Sequence, residues 1–251
     1  MLFWAALRKE LLEQWRSYRA LVVAAVLLGF GLLSPLSAKF TPELFRLLPN
    51  GAQIASLIPP PTLLDAVAQY LKNMSQFAVI LALLLTMGAV SQEKERGTAA
   101  MMLSKPLPRW VFLAAKFAAL GLTFAVGLVL AGAGAYYYSV LLFGPLDALA
   151  WVGVNGLLLV FTLVYVALTL LCSVLTRSQA AAGGLAFGLL VLLTILGALP
   201  QVGQYLPGQL IAWAGRLIGG GAAAWPALVV SVALIGLALA AAAWRFESQE
   251  L

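Results

Sequence analysis

The chain of 251 residues is 63% hydrophobic and only 10% charged, and its net charge is +6. A soluble domain is about half apolar and about a quarter charged, so this composition excludes a water-soluble fold. The basic residues lie between apolar runs, and no basic face that would suit nucleic acid is left over. Histidine is absent and Cys172 is the single cysteine. These two facts exclude imidazole metal sites, a Ser-His-Asp triad and an internal disulfide.

Residues 1–19 are predicted to form an amphipathic interfacial helix. Projected at about 100° per residue, its apolar side chains fall within an arc of about 120°, opposite Lys9, Glu13 and Arg16. The side chains in this arc are Phe3, Trp4, Leu7, Leu11, Trp15 and Tyr18. Such a helix would lie in the inner headgroup layer before the chain turns into its first span.

Six apolar runs have the length of about 20 residues that crosses a bilayer. They cover residues 20–38, 73–91, 117–143, 149–175, 180–199 and 225–244. The third run extends back to Trp110 if the Lys116 ammonium snorkels toward the headgroups. The predicted fold is therefore an all-α membrane protein, with six transmembrane helices in a single domain over residues 1–251.

The orientation of the spans follows from the basic residues. Of the 15 lysines and arginines, 11 lie in segments that face inward if both termini are cytoplasmic. The four outside are Lys39, Arg46, Lys72 and Arg216. Since an excess of basic residues marks the cytoplasmic side, we predict a multi-pass protein of the cell inner (cytoplasmic) membrane with both termini in the cytoplasm.

The outer loop 39–72 is too long for a simple turn. The sequence Thr-Pro-Glu at 41–43 offers an N-cap, a first-turn proline and a first-turn acid, so a short helix is predicted to begin there. The prolines at 59–61 then break the chain. Thr62 can cap a helix that runs into the second span, with Asp65 at its third position.

A second outer segment, 206–218, lies between spans five and six. Its apolar residues Leu206, Leu210, Trp213 and Leu217 share one face. We predict a short interfacial or re-entrant outer helix, closed by the three glycines at 219–221.

The most distinctive segment is 92–110, which joins spans two and three on the cytoplasmic side. Its acids Glu93 and Glu95 are two residues apart, so on a continuous helix they would point to different sides. Thr98 can cap a short helix that Pro106 prevents from continuing. Exposed methionines between charged groups are typical of a surface that docks another protein.

At these residues the sequence resembles the ABC-2 type permease family, the membrane subunits of ABC exporters. The resemblance lies in Glu93-x-Glu95-x-Gly97-Thr98, in Leu103-Ser104-x-Pro106, and in Arg109 and Lys116 beyond. The six spans and the two additional helices extend it over essentially the whole chain. It implies a permease that dimerises, binds a separate ATPase subunit at each inner loop and exports a substrate. The residues predicted to couple the chain to that ATPase are Glu93, Glu95, Arg96, Gly97, Thr98, Met101, Met102, Leu103 and Pro106.

Polar residues form a line along the fourth span. They fall within an arc of about 80° and should face protein or water rather than lipid: Asn155, Thr162, Tyr165, Thr169, Ser173 and Thr176. Two interpretations stay open: helix packing through hydroxyl hydrogen bonds, or a polar wall of the translocation path. In the third span, the small residues Gly127 and Ala131 are spaced for helix packing.

The predicted function is the permease subunit of an ATP-driven ABC exporter, embedded in membrane lipid. No lysine follows a glycine, so the chain has no GxxxxGK phosphate loop. It would therefore be no enzyme and would hold no cofactor or metal, and two copies of a partner ATPase would bind ATP and Mg²⁺. A second permease copy would complete a homo- or heterodimer. The alternative is a non-transporting scaffold or assembly factor for maturation of an extracytoplasmic enzyme.

Overall fold

The computed structural model describes residues 2–47, 59–95, 97 and 108–249. Within these ranges the chain forms ten α-helices and no strand. The helices are α1 (Leu2–Arg16), α2 (Arg19–Arg46), α3 (Leu63–Thr86), α4 (Ser91–Glu95), α5 (Arg109–Phe143), α6 (Ala148–Leu175), α7 (Gln179–Gly197), α8 (Pro200–Gly203), α9 (Gly208–Leu217) and α10 (Trp225–Glu247). Six segments are long and apolar enough to cross a membrane: α2, α3 continued by α4, α5, α6, α7 and α10. The predicted all-α membrane protein with six spans is confirmed.

The ends of the spans define two sides of the bundle. We call one the terminal side, because α1, α4, the start of α5 and the end of α10 meet there. The other, here the far side, carries the connections from α2 to α3, from α5 to α6 and from α7 to α10.

The most buried span, α6, forms the centre of the bundle. Its Val154 and Leu158 are fully buried and belong to the same core as Met74 of α3 and Phe124 of α5. Because lipid tails are as apolar as these side chains, close packing rather than exclusion from water holds this core together.

Spans α2 and α5 run side by side in the same direction and approach closely at small residues. A Cβ atom added to Gly31 would lie 2.6 Å from the Ala131 carbonyl oxygen. A Cβ atom added to Gly127 would lie 2.9 Å from Leu27 Cδ1. The packing role predicted from the spacing of Gly127 and Ala131 is therefore what the structure shows.

The amphipathic helix α1 contacts the bundle through residues that the apolar arc did not indicate. Glu10 and Gln14 are buried, and Gln14 Oε1 accepts a hydrogen bond from the Thr123 hydroxyl of α5. Trp4 and Trp15, in contrast, are 71% and 69% exposed. Most of the apolar arc of α1 is thus exposed on the surface of the chain, whereas Glu10 and Gln14 contact the bundle.

The prediction of a short helix that begins at Thr41 is wrong, because α2 continues without a break to Arg46. Thr41 Oγ1 donates a hydrogen bond to the Ser37 carbonyl oxygen at 2.6 Å, within the same helix. Pro42 lies inside α2. A proline removes one backbone hydrogen bond, and hydroxyl groups nearby can satisfy the groups that it frees.

The predicted cap at Thr62 is confirmed, since its amide donates to Asp65 Oδ2 at 2.8 Å and its hydroxyl accepts from the Asp65 amide. The helix that follows, α3, begins ten residues before the predicted second span. Likewise α5 begins at Arg109 rather than at residue 117, which agrees with the longer third span that reaches back to Trp110. The expectation that Lys116 snorkels to the headgroups is wrong, because its ammonium is buried among carboxylates on the terminal side.

The outer helix predicted between spans five and six is α9. Leu210 and Trp213 are buried against the bundle. Gly220 has a φ of 70°, and the Gly221 amide donates to the Arg216 carbonyl oxygen at 2.9 Å, so these glycines end the helix as predicted.

Candidate functional site

The predicted coupling segment, residues 92–110, is preceded by a buried anchor at the start of α4. Ser173 Oγ of α6 accepts hydrogen bonds from the amides of Val90 and Ser91, both at 3.0 Å. The same hydroxyl donates to the Met87 carbonyl oxygen at 2.8 Å. Amides at a helix start have no partner within the helix, so Ser173 satisfies groups that would otherwise be unpaired in the interior. It thereby fixes α4 to α6.

Five charged side chains, here named the ion-pair cluster, connect α1, α4 and α5. They are Lys9, Glu10, Glu13, Glu93 and Lys116. Lys116 Nζ lies 2.8 Å from Glu93 Oε1 and 3.1 Å from Glu10 Oε2. Lys9 Nζ lies 3.0 Å from Glu10 Oε1 and 3.9 Å from Glu93 Oε1. Because the Lys116 side chain is only 4% exposed, carboxylates rather than water compensate its charge.

Within the ion-pair cluster, the surrounding charges favour the ionised forms of Glu10 and Lys9. Burial by itself would raise the pKa of Glu10, but the ammonium groups of Lys116 and Lys9 outweigh it and lower that pKa below its ordinary value. Burial also opposes the charge on Lys9, whereas Glu10, Glu93 and Glu13 raise its pKa above the ordinary value. Carboxylate oxygens of Glu10, Glu13 and Glu93 lie within 4.8 Å of one another, as in a cation site. Here the two lysine ammonium groups already supply the positive charge.

The structure separates the two predicted acids of the coupling segment. Glu93 faces the ion-pair cluster, while Glu95 is exposed at the end of α4, so the two point to different sides as their spacing predicts. Gly97 has a φ of 68°, a left-handed conformation that glycine adopts without steric penalty, and the chain turns there. The remaining predicted coupling residues lie outside the described residues: Arg96, Thr98, Met101, Met102, Leu103 and Pro106.

Most of the polar line on α6 is buried inside the chain. Thr162, Thr169 and Ser173 are at most 1% exposed. Thr162 Oγ1 donates to the Leu158 carbonyl oxygen of its own helix at 2.8 Å, and the Tyr165 ring packs edge-on against Phe161. Those two contacts lie within α6 itself, but the burial of the three residues and the bonds of Ser173 to the start of α4 support the packing interpretation for this part of the line.

Asn155, at the far-side end of the line, borders a cavity of about 450 Å³ between α5 and α6. Its Oδ1 accepts a hydrogen bond from the Tyr70 hydroxyl at 2.6 Å, and its Nδ2 donates to the Trp151 carbonyl oxygen at 3.0 Å. A Cβ atom at Gly132 would lie 2.6 Å from Asn155 Oδ1, so the glycine makes room for this amide. The Asn155 amide is thus a polar group in a cavity wall that otherwise consists mainly of apolar side chains such as Leu128.

The sequence-based predictions did not include Glu10 and Gln14. These residues are four positions apart on α1, and their partners Lys116 and Thr123 are seven positions apart on α5. Each pair therefore shares one face of its helix. Two helices that each carry such a polar pair on one face are a signal for a mutual contact, although the sequence does not specify which helices meet.

The fold and these contacts define an all-α, multi-pass membrane protein whose charged contacts gather on the terminal side. The model of the ABC-2 family transporter proteins matches residues 4–251, and the chain belongs to this family. It is thus a membrane subunit of the transporter class. One similar protein is YxlG of Bacillus subtilis (strain 168), an uncharacterized transmembrane protein. The two are 26% identical over 257 residues, covering 98% of this chain and 97% of YxlG.

Proposed function

We propose that this chain is the permease subunit of an ATP-driven ABC exporter and that residues 92–110 couple it to a separate ATPase. The anchoring of α4 carries this proposal. Ser173 ties α4 to α6, and Glu93 ties it to Lys116 of α5 and lies close to Lys9 of α1. A displacement of α4 by a partner would therefore reach three other helices, two of which are spans.

The partner would supply the energy. Because the chain has no GxxxxGK phosphate loop, ATP and Mg²⁺ would be bound by the ATPase. Membership of the ABC-2 family supports an assembly of two permease copies, identical or related, with one ATPase at each coupling segment.

The proposed orientation places the terminal side in the cytoplasm and the chain in the cell inner membrane. Single cysteines introduced into a Cys172→Ser background test it with an impermeant thiol reagent. Positions 55 and 147 should be labelled from outside, and positions 104 and 178 only after permeabilisation. Labelling of position 104 in intact cells would contradict the orientation.

The proposed translocation path passes Asn155, whereas the buried residues Thr162, Tyr165, Thr169 and Ser173 lie outside it. Asn155→Leu should lower transport in membrane vesicles, because it removes the amide from the cavity wall. Thr162→Val is the matched control, since the Thr162 hydroxyl bonds only to its own helix. Equal transport by both variants and the wild type would remove Asn155 from the path.

Purification of the tagged chain from its native membrane tests the proposed function itself. We expect a co-purified ATPase that carries a GxxxxGK loop, and ATP-dependent transport by vesicles that contain the complex. Glu93→Gln should weaken association or coupling, whereas Glu95→Gln, at an exposed position, should change it little. A complex without any ATPase would support the scaffold alternative, and ATP hydrolysis by the pure chain would contradict the subunit assignment.

A further inference from the structure

The first residue of α5 holds the C-terminal end of α10. Arg109 Nη1 donates hydrogen bonds to the backbone carbonyl oxygens of Phe246, Glu247 and Gln249, at 2.6, 3.0 and 2.8 Å. The last carbonyl groups of a helix have no partner within the helix and carry partial negative charge. A guanidinium is therefore well suited to bind this end.

A lysine near the other end of the coupling segment contacts the same part of α10. Lys94 Nζ of α4 donates to the side-chain oxygen of Gln249 and to the Val174 carbonyl oxygen at the end of α6. The side-chain nitrogen Nε2 of Gln249 donates to that same carbonyl oxygen at 3.1 Å. Lys94, Gln249 and the last turn of α6 are thus joined by three mutual hydrogen bonds.

Phe246 anchors this end of α10 in the bundle. It is fully buried and stacks on Phe112 of α5, with ring centroids 5.7 Å apart. The Lys94 ammonium and the Arg109 guanidinium lie 5.6 and 5.8 Å from the centroid of the Phe246 ring, within the range of cation–π attraction. The two cations near the two ends of the coupling segment therefore share one aromatic ring.

We infer that residues 246–249 are a further part of the coupling surface, with Lys94 and Arg109 as its positioning residues. Because both ends of the coupling segment are fixed to this one element, their separation is held constant while the residues between them meet the ATPase. The same contacts pass a displacement of the segment on to α10, the sixth span. This inference rests on the proposed function, since coupling requires an ATPase.

The first experiment examines the contact in the permease without an ATPase. A spin label at position 248, introduced as Ser248→Cys in a Cys172→Ser background, reports the mobility of the end of α10. Arg109→Gln should raise the mobile fraction about tenfold, which is roughly what loss of one charge-assisted hydrogen bond is worth. Arg245→Gln is the control, because replacing this exposed arginine removes the same charge on the same side of the bundle. An unchanged spectrum in Arg109→Gln would overturn the inference.

The second experiment measures coupling in the complex purified with its ATPase. Arg109→Gln should retain the ATPase but reduce transport per ATP hydrolysed about tenfold. Arg109→Lys should restore part of it, because Arg109 reaches all three carbonyl groups through one nitrogen, whose two N–H donors an ammonium with three donors can replace. A chain that ends at Arg245 should lose coupling, whereas one that ends at Gln249 should keep it.

The outcomes separate the two proposals. If the wild-type chain binds no ATPase, the proposed function fails, while the spin label still reports whether Arg109 holds α10. If the ATPase binds and Arg109→Gln couples as well as the wild type, the inference about residues 246–249 fails and the proposed function stands.

Discussion

Replacing Lys116 by methionine removes the positive charge at the centre of the ion-pair cluster while keeping a side chain of similar length. Glu10, whose side chain is 10% exposed, would then retain Lys9 as its ion-pair partner, and Glu93 would lose its contact of 2.8 Å. Removing one member of a buried ion pair destabilises a protein by about 3–5 kcal/mol, because the remaining charge stays desolvated. For a chain of this size, that loss corresponds to a fall in Tm of about 6–20 °C.

Thermal unfolding of the purified protein in detergent measures this effect, with Lys72→Met as the exposed control. The double variant Lys116→Met with Glu93→Met should recover much of the loss, because it also removes the carboxylate that loses its contact of 2.8 Å. A Lys116→Met protein that unfolds at the wild-type temperature would refute the claim that this cluster holds α1, α4 and α5 together.

Three further changes examine α1, the α2–α5 contact and the anchor of α4. The pKa of Glu10 is lowered below its ordinary value of 4.5, so its ion pairs contribute their full stabilisation above pH 4.5. This stabilisation is lost as the pH falls through the pKa of Glu10 in the folded state, and a spin label on α1 should become mobile at that pH. Gly31→Leu should destabilise the protein by about 1–3 kcal/mol, since the backbone of α5 blocks its side chain, whereas Gly29→Leu meets open space and should unfold like the wild type. Ser173→Ala should cost about 1–3 kcal/mol by leaving buried amides without an acceptor, and Ser231→Ala, which loses only a bond within its own helix, should cost less. Equal melting temperatures within either pair would contradict the corresponding contact.

The spans could be predicted because crossing a bilayer depends on local length and apolarity, which a sequence states directly. The cap at Thr62 was equally local, since it needs only Asp65 three positions later. Helix ends that depend on tertiary contacts were predicted less well. The start of α5 at Arg109 is one example, because carboxylates on α1 and α4 allow Lys116 to be buried inside this helix.

The candidate site could be predicted only in part. Methionines between charged groups predicted a docking surface in residues 92–110. The sequence did not show that the partner of Glu93 comes from another helix, or that Glu10 pairs with Lys116 more than 100 residues away along the chain. Ser173 belonged to a predicted polar line, yet it accepts hydrogen bonds from backbone amides. Every residue except proline has a backbone amide, so the sequence does not identify these partners. Polar contacts of this kind depend on which helices meet, so they require the structure.

The close contact between the first and third spans imposes an order on biosynthesis. The first span is complete once residue 46 has been made, but the span that covers Gly31 ends only at residue 143. At about 5–20 residues per second, a ribosome needs about 5–20 s to make the chain between them. During that interval the α5 residues that cover Gly31 in the folded protein have not all been made. The first span must therefore remain in the membrane or in the insertion machinery without its final partner. A mutation at Gly31 would consequently lower the yield of inserted protein before it affects the assembled transporter.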